Sequence, residues 1–290
     1  MNKGTARACA QSVGKAPVFP PDCSNRTADR TDPPCADNTV EKQLLVPVGT
    51  GHAINLSPSV ASSPTRRWGG SRNNASRTSE SLSLDQVANI IEAAQFAAAA
   101  GMPFNRHVTI HWEQAGIPDE RAAWATGRFL KLVGDWVGKR RNLNFNQEKS
   151  NGIAWAWARE SGHRKGSHVH ILLHLPAGAQ IGAMQRRWLR SITRRPYRPR
   201  TIKTTRIGGT AGAAHSAPAT YQANLSKVLS YVLKGACPTA AAELELEQLQ
   251  AGGLIIGKRA ATSQNIGQAS RRRAAARALE CAGKAAPAVS

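Results

Sequence analysis

Two histidines, His168 and His170, flank Val169 at the start of an apolar stretch that runs to Leu175. Residues i and i+2 of a β-strand point to the same face, so a strand here directs both imidazoles to one side. The sequence Pro176-Ala177-Gly178 follows and is typical of the end of a strand. Two neutral imidazoles that converge on one point indicate a divalent-metal site or a histidine-assisted phosphate site.

A tyrosine and a lysine, Tyr231 and Lys234, follow the histidines later in the chain. Their spacing places both on one face of a helix, one turn apart, because each helical residue turns the chain by about 100°. A phenol can attack a phosphate, and an ammonium can stabilise the charge that develops. Together with a metal ion, these groups predict phosphoryl transfer.

An acidic residue, Glu160, precedes His168 by eight residues. Residues 153–160 alternate, with Trp155, Trp157 and Arg159 on one side and alanines with Glu160 on the other. Two glycines, at positions 162 and 166, bracket a polar turn and predict an antiparallel hairpin that leads into the histidine strand. Pairing across this hairpin brings Glu160 onto the histidine face.

The order of these motifs resembles the HUH endonuclease superfamily, which includes rolling-circle replication initiators, conjugative relaxases and some transposases. Its members have a His-hydrophobic-His strand followed by a Tyr-x-x-Lys helix, and Rep-type members with a single catalytic tyrosine take a further metal ligand from a neighbouring acidic residue. The resemblance covers about residues 105–235. It implies that Tyr231 and Lys234 are catalytic and that Glu160, His168 and His170 bind Mg²⁺ or Mn²⁺.

The resemblance also implies an activity and a substrate. The expected reaction is site-specific nicking and rejoining of single-stranded or hairpin origin DNA through a 5′-phosphotyrosine intermediate, which initiates rolling-circle replication of a plasmid or phage. Residues 106–112 match the position of the family's first strand, and we interpret His107 and His111 there as a polar strand face rather than as ligands. Tyr221 is predicted to be a packing residue because it lies about 80° from Tyr231 around a helix.

Three other functions remain open. A mobilisation relaxase or a transposase uses the same chemistry on another DNA element. A nonenzymatic DNA-binding regulator would keep the histidines as a structural pair. A histidine-triad nucleotide hydrolase is disfavoured, because Leu172 stands where that motif has its third histidine.

The composition favours a nucleic-acid partner. The chain has 39 Lys+Arg against 18 Asp+Glu, a formal net charge of +21, and a polyphosphate partner explains such an excess. A stretch without acidic residues contains the predicted DNA-binding residues Arg186, Arg187, Arg190, Arg194, Arg195, Arg198, Arg200, Lys203 and Arg206. A further basic run, at residues 271–277, predicts a phosphate-binding tail without sequence readout.

The remaining composition favours a cytoplasmic protein. The five cysteines are scattered and form no Cys-x-x-Cys pair, which is typical of a reducing compartment. No apolar stretch is long enough for a signal peptide or a membrane span, so we expect no membrane role. The glycine-rich residues 207–212 are not followed by Lys-Ser or Lys-Thr, which predicts no nucleotide cofactor and a separate helicase for unwinding.

The organisation along the chain predicts one folded domain. Residues 1–82 are interpreted as a disordered or weakly ordered basic arm, 83–250 as the HUH-type nicking domain, and 251–290 as a mobile basic Ala/Arg-rich tail. Within the domain the predicted order α-β-α-β-β-α-β-α indicates an α+β fold with helices packed over an antiparallel sheet. The resemblance implies that this sheet is ferredoxin-like, with the histidine strand in its middle.

Overall fold

The alternation of small and large residues before Glu160 does form a strand, and the histidines lie on the next one. A computed structural model describes residues 76–143, 152–162, 165–210, 212–246 and 249–285. The strands are β1 (Thr78–Ser79), β2 (Arg106–His111), β3 (Ala154–Gly162), β4 (Gly166–His174), β5 (Ile202–Arg206), β6 (Ile255–Ile256) and β7 (Ala260–Thr262). The helices are α1 (Leu84–Ala99), α2 (Asp119–Leu143), α3 (Gly182–Thr193), α4 (Ala213–Ser216), α5 (Pro218–Leu233), α6 (Pro238–Glu243) and α7 (Gln268–Ala285).

Five of these strands form one antiparallel sheet, in the order β5-β2-β4-β3-β7. The histidine strand β4 is therefore the central strand, hydrogen-bonded to β2 on one side and to β3 on the other. The two short strands β1 and β6 form a separate antiparallel pair. The predicted α+β class with helices packed over an antiparallel sheet is confirmed.

Helices cover both faces of the sheet, and a separate apolar core fills each side. On one face, Ala156 and Leu172 pack with residues of α1 and α5, such as Ile90 and Leu229. On the opposite face the core contains large β4 residues and residues of α2 and α3, among them Ile171, Phe129 and Trp188. Because side chains alternate along β4, His168 and His170 lie on the α1/α5 face, in line with Leu172.

The N-terminal end of helix α1 is fixed by a side-chain cap. Ser83 caps α1 by accepting a hydrogen bond from the backbone N–H of Gln86, and the Gln86 side chain in turn accepts the Ser83 N–H, which is a complete capping box. Residues 1–75 of the predicted arm lie outside the described residues. Its last residues belong to the fold, since β1 pairs with β6 and Leu82 is buried in the core.

The segment after residue 250 differs from the predicted mobile tail. Strand β7 pairs with β3 at the edge of the main sheet, and Ile266 is fully buried. Arg259 lies in the interior, where its guanidinium donates to the carbonyl oxygens of Ser79, Gly252 and Gly253. The short apolar runs of this segment gave too weak a periodicity to predict strands that pair with distant residues. None of the described helices is long and apolar enough to cross a membrane.

Candidate metal centre

The register of the hairpin β3–β4 places the three predicted ligands together. Glu160 is the direct cross-strand partner of His168, and Ala158 is the partner of His170. Glu160, His168 and His170 each offer a ligand atom, these atoms lie within 4.8 Å of one another, and all three residues are buried. The predicted clustering is thereby confirmed, and the cluster can hold a metal ion.

One carboxylate oxygen is the point of convergence. Glu160 Oε1 lies 2.8 Å from His168 Nε2 and 2.6 Å from His170 Nε2. Burial raises the pKa of Glu160, but the hydrogen bonds with the two imidazoles outweigh burial and hold this pKa far below its usual range. The carboxylate is therefore ionised at neutral pH.

The other ring nitrogens are held by polar groups behind the ligands. His168 Nδ1 lies 2.9 Å from the carbonyl oxygen of Gly166, which can only accept, so Nδ1 carries the proton. In the neutral ring the Nε2 lone pair then faces the Glu160 carboxylate, and this contact requires a proton or a cation between the two atoms. His170 Nδ1 lies 3.1 Å from Thr109 Oγ1 and 3.2 Å from His107 Nε2. Such outer contacts fix the ring orientation of metal-binding histidines, so the donor set fits a divalent cation.

Two further histidines, His107 and His111, lie beside the ligands on β2. Their partners in the antiparallel register are Leu172 and His168, which places them on the same face of the sheet. Burial and the neighbouring His170 lower the pKa of His107 to about 3, and burial and the neighbouring His168 lower that of His111 to about 4. Both rings are neutral at pH 7. Among the described residues, the group that could hold a metal ion consists of Glu160, His168 and His170.

The predicted nucleophile stands over this centre. Tyr231 lies in the last turn of α5, with its ring centroid 5.0 Å from that of His170 and 6.0 Å from that of His107. Its side chain keeps 36% of its surface exposed, so substrate can reach it. The structure thus brings Tyr231 to the histidine face.

Lys234 connects the tyrosine to the carboxylate. Its Nζ lies 3.0 Å from Glu160 Oε1 and 4.3 Å from the centroid of the Tyr231 ring. The lysine is buried, with 9% of its surface exposed. The turn that carries it is held by hydrogen bonds from Leu82 N–H to the Gly235 carbonyl and from Gln250 N–H to the Lys234 carbonyl. All five residues predicted for metal binding and catalysis therefore converge at one place.

A cavity of about 380 Å³ opens next to this centre. It is bounded by β2, β4, β5 and α5, and its lining residues are His107, Thr109, His111, Lys165, His168, His170, Lys203, Thr205, Lys227, Val228 and Tyr231. Of the predicted DNA-binding residues, only Lys203 lines it. Four polar lining residues were not predicted: Thr109, Lys165, Thr205 and Lys227. The alternation of β2 could have identified Thr109, whereas nothing in the local sequence marks the two lysines.

The predicted basic cluster is spread over the molecule. Helix α3, with Arg186, Arg187 and Arg190, packs on the sheet face opposite the histidines. Arg186 stacks on the Tyr197 ring at 5.4 Å, and Arg198 donates to the Gln114 carbonyl at 3.3 Å. A DNA-binding role of these arginines stays a prediction.

Tyr221 and His174 each lie within hydrogen-bonding distance of a backbone carbonyl. Tyr221 is 2% exposed, and its hydroxyl donates to the Phe104 carbonyl at 3.0 Å, so it is a packing residue as predicted. His174 Nδ1 lies 2.8 Å from the Pro103 carbonyl.

Comparison with known proteins gave no relatives. No protein-family model matches the chain, and neither a curated protein nor a solved structure matches it.

Proposed function

We propose that this chain is a metal-dependent single-strand DNA endonuclease and strand transferase of the HUH type. The observation that supports this most is the convergence of a tyrosine, a buried lysine and a Glu-His-His cluster: the Tyr231 ring contacts His170, and Lys234 lies against both Glu160 and the Tyr231 ring. A structural histidine pair would need neither an accessible tyrosine nor a lysine beside its carboxylate. The net charge of +21 supports a nucleic-acid substrate.

The architecture supports the same proposal. An antiparallel sheet with the histidine strand in its centre and helices on both faces is compatible with the ferredoxin-like core that this resemblance implies. The carboxylate comes from the neighbouring strand and the tyrosine from a later helix, as in Rep-type members of the superfamily.

In the proposed reaction the Tyr231 oxygen attacks a backbone phosphorus. A phosphotyrosine bond forms, the bond from phosphorus to the 3′ oxygen breaks, and that oxygen leaves as a hydroxyl after taking a proton. The phenol proton passes to water, which the 36% exposure of Tyr231 allows. Attack of a 3′-hydroxyl on the phosphotyrosine reverses these steps and rejoins the strand.

The other residues of the site hold and balance charge. Glu160, His168 and His170 would hold Mg²⁺ or Mn²⁺, which when bound polarises the non-bridging phosphate oxygens. Thr109 and His107 orient the His170 ring through its Nδ1 atom. Lys234 is placed to offset negative charge between the carboxylate and the tyrosine.

The biological role follows from this chemistry. We propose initiation of rolling-circle replication of a plasmid or phage, in the cytoplasm and with a separate helicase. Mobilisation or transposition of another DNA element would use the same site.

The first prediction tests the nucleophile. Tyr231→Phe removes the attacking oxygen and keeps the ring, so we expect it to abolish the covalent protein–DNA adduct while binding of single-stranded DNA persists. The measurement is adduct formation with labelled single-stranded oligonucleotides that present origin-like hairpins, in Mn²⁺, resolved on denaturing gels.

The control is Tyr221→Phe, which removes a buried hydroxyl far from reactive groups and should keep the adduct. An adduct that persists in Tyr231→Phe and is lost in Tyr221→Phe would overturn the assignment of the nucleophile. Binding without any adduct in the wild-type chain, over a range of oligonucleotides and both metals, would favour a nonenzymatic DNA-binding regulator.

A further inference from the structure

The cavity beside the metal centre has the chemistry of an anion site. Three lysines line it and come from three separate elements: Lys165 precedes β4, Lys203 lies on β5, and Lys227 lies on α5. No acidic residue of the described part of the chain lines the cavity. None of the three ammonium groups has a carboxylate within 4.0 Å among the described residues. Unpaired cations around one cavity favour a negatively charged ligand.

The other lining residues suit a phosphate in particular. Thr109 and Thr205 line the cavity. Their hydroxyl groups lie 3.1 Å from His170 Nδ1 and 3.4 Å from the His107 carbonyl, and hydroxyl groups can donate hydrogen bonds to phosphate oxygens. His107 and His111 also line the cavity and add imidazole rings to its polar wall. Hydroxyls and amines surrounding one space are the groups that proteins use to hold a nucleic-acid backbone.

The position of the cavity relates it to the reacting groups. Tyr231 and His170 form part of its wall, and the cavity extends from them across β2 to β5. Because β5 is an edge strand, and Lys203 and Thr205 on it are exposed, a chain can enter over this edge. A volume of about 380 Å³ is near the lower end of small-molecule pockets, enough for one nucleotide unit and too small for a duplex.

We infer that this cavity binds the backbone phosphate next to the scissile one, in a single strand of DNA that crosses the edge strand β5. Lys203 and Lys227 hold this phosphate between the sheet and α5, and Lys165 closes the end of the cavity beside the hairpin. The inference rests on the proposed function for the position of the scissile phosphate. The cavity therefore selects single-stranded over duplex DNA before any bond is broken.

The test measures binding without cleavage. The affinity for a fluorescent oligothymidylate is measured by fluorescence anisotropy for the full-length double variant Lys203→Gln/Lys227→Gln and for the wild type. The measurements are made in EDTA over a series of salt concentrations. Because each lost phosphate contact lowers the salt slope by about 0.7 on single strands, the expected change is about 1.4 in slope and up to about 25-fold in affinity at 0.1 M salt. Binding of a duplex should change much less.

The control variant is Arg128→Gln/Lys139→Gln, which removes the same number of charges from exposed positions on α2, behind the opposite face of the sheet. Thermal melting verifies that each variant is folded. An unchanged slope in the Lys203/Lys227 variant, an equal loss in the α2 variant, or an equal loss for duplex DNA would overturn the inference. A wild-type chain that forms no adduct but shows the expected lysine dependence would refute the nicking function and leave the phosphate cavity standing.

Discussion

The side chain on which this site depends most is Glu160. Its Oε1 atom meets two imidazole nitrogens and an ammonium at 2.6, 2.8 and 3.0 Å. A buried carboxylate must be neutralised by such partners, because an unpaired buried charge is costly. A divalent ion that binds the same oxygen competes with the ammonium of Lys234. Lys234 therefore has two effects: it balances Glu160 and it opposes metal binding.

We predict that Lys234→Met raises the affinity for Mn²⁺ while it slows nicking. Removal of a positive charge about 3 Å from a ligand atom favours a cation there. Even with water-like screening, a unit charge about 4 Å from a divalent ion opposes its binding by about 2 kcal/mol, so a rise in affinity of at least about tenfold is expected. Isothermal titration with Mn²⁺ measures the affinity independently of activity. Lys139→Met on α2 serves as the control and should leave both quantities unchanged. Weaker Mn²⁺ binding by Lys234→Met would mean that the lysine supports the ligand geometry rather than competing with the metal.

At the scale of elements, the hairpin β3–β4 determines whether the ligands meet. A shift in register by one residue would turn Glu160 away from His168, because side chains alternate along a strand. Gly166 begins β4 with a φ of +60°, and a Cβ atom at this position would clash with the Glu113 carboxylate. The Glu113 carboxylate accepts the Ser167 N–H at 2.9 Å, next to His168. The turn thus ties the register of the hairpin to the end of β2.

We predict that Gly166→Ala lowers the free energy of unfolding by about 1–3 kcal/mol, because alanine is strained at positive φ and displaces Glu113. It should also weaken Mn²⁺ binding by disturbing His168. Gly162→Ala is the matched control in the same hairpin, since its added Cβ has ordinary contact, 4.0 Å from the His168 ring. Urea denaturation compares the two. Equal stability of both variants would contradict a constrained turn at Gly166.

The elements that the sequence predicted are those with local signals. The alternation before Glu160 and the glycine-flanked turn each depend on neighbouring residues, and both appear in the structure. The ligand cluster could be predicted because one hairpin contains all three of its members. Lys165 and Lys227 could not be predicted as cavity residues, because only the packing of α5 over the sheet brings them together. Conversely, arginines that are close in sequence on α3 lie behind the sheet.

For the molecule as a whole, the C-terminal segment shows how a distant part of the chain completes the fold. All described residues belong to one compact unit, residues 50–290. Arg159 is buried beneath the sheet, where its guanidinium pairs with Asp119 and donates to the carbonyls of Ile256 and Lys258. These carbonyls lie beside β7, which covers the edge of β3. The strand that carries Glu160 is thus held in place by residues that were predicted to form a mobile tail.

We predict that a chain ending at Gln250 loses its cooperative fold or melts at least about 10 °C lower, whereas a chain ending at Gly267 melts within a few degrees of the full length. The first truncation exposes the edge of β3 and removes two acceptors of the buried Arg159 guanidinium, and each buried polar group left unpaired costs about 1–3 kcal/mol. For a domain of this size about 2–4 °C of melting temperature corresponds to 1 kcal/mol.

The second truncation removes α7. The described side chains of this helix are mostly exposed, and it contacts α1 through Arg271, Asn89 and Glu92. Differential scanning calorimetry of both chains measures the difference, and equal melting temperatures would show that β7 adds nothing to the stability of the sheet that holds the metal ligands.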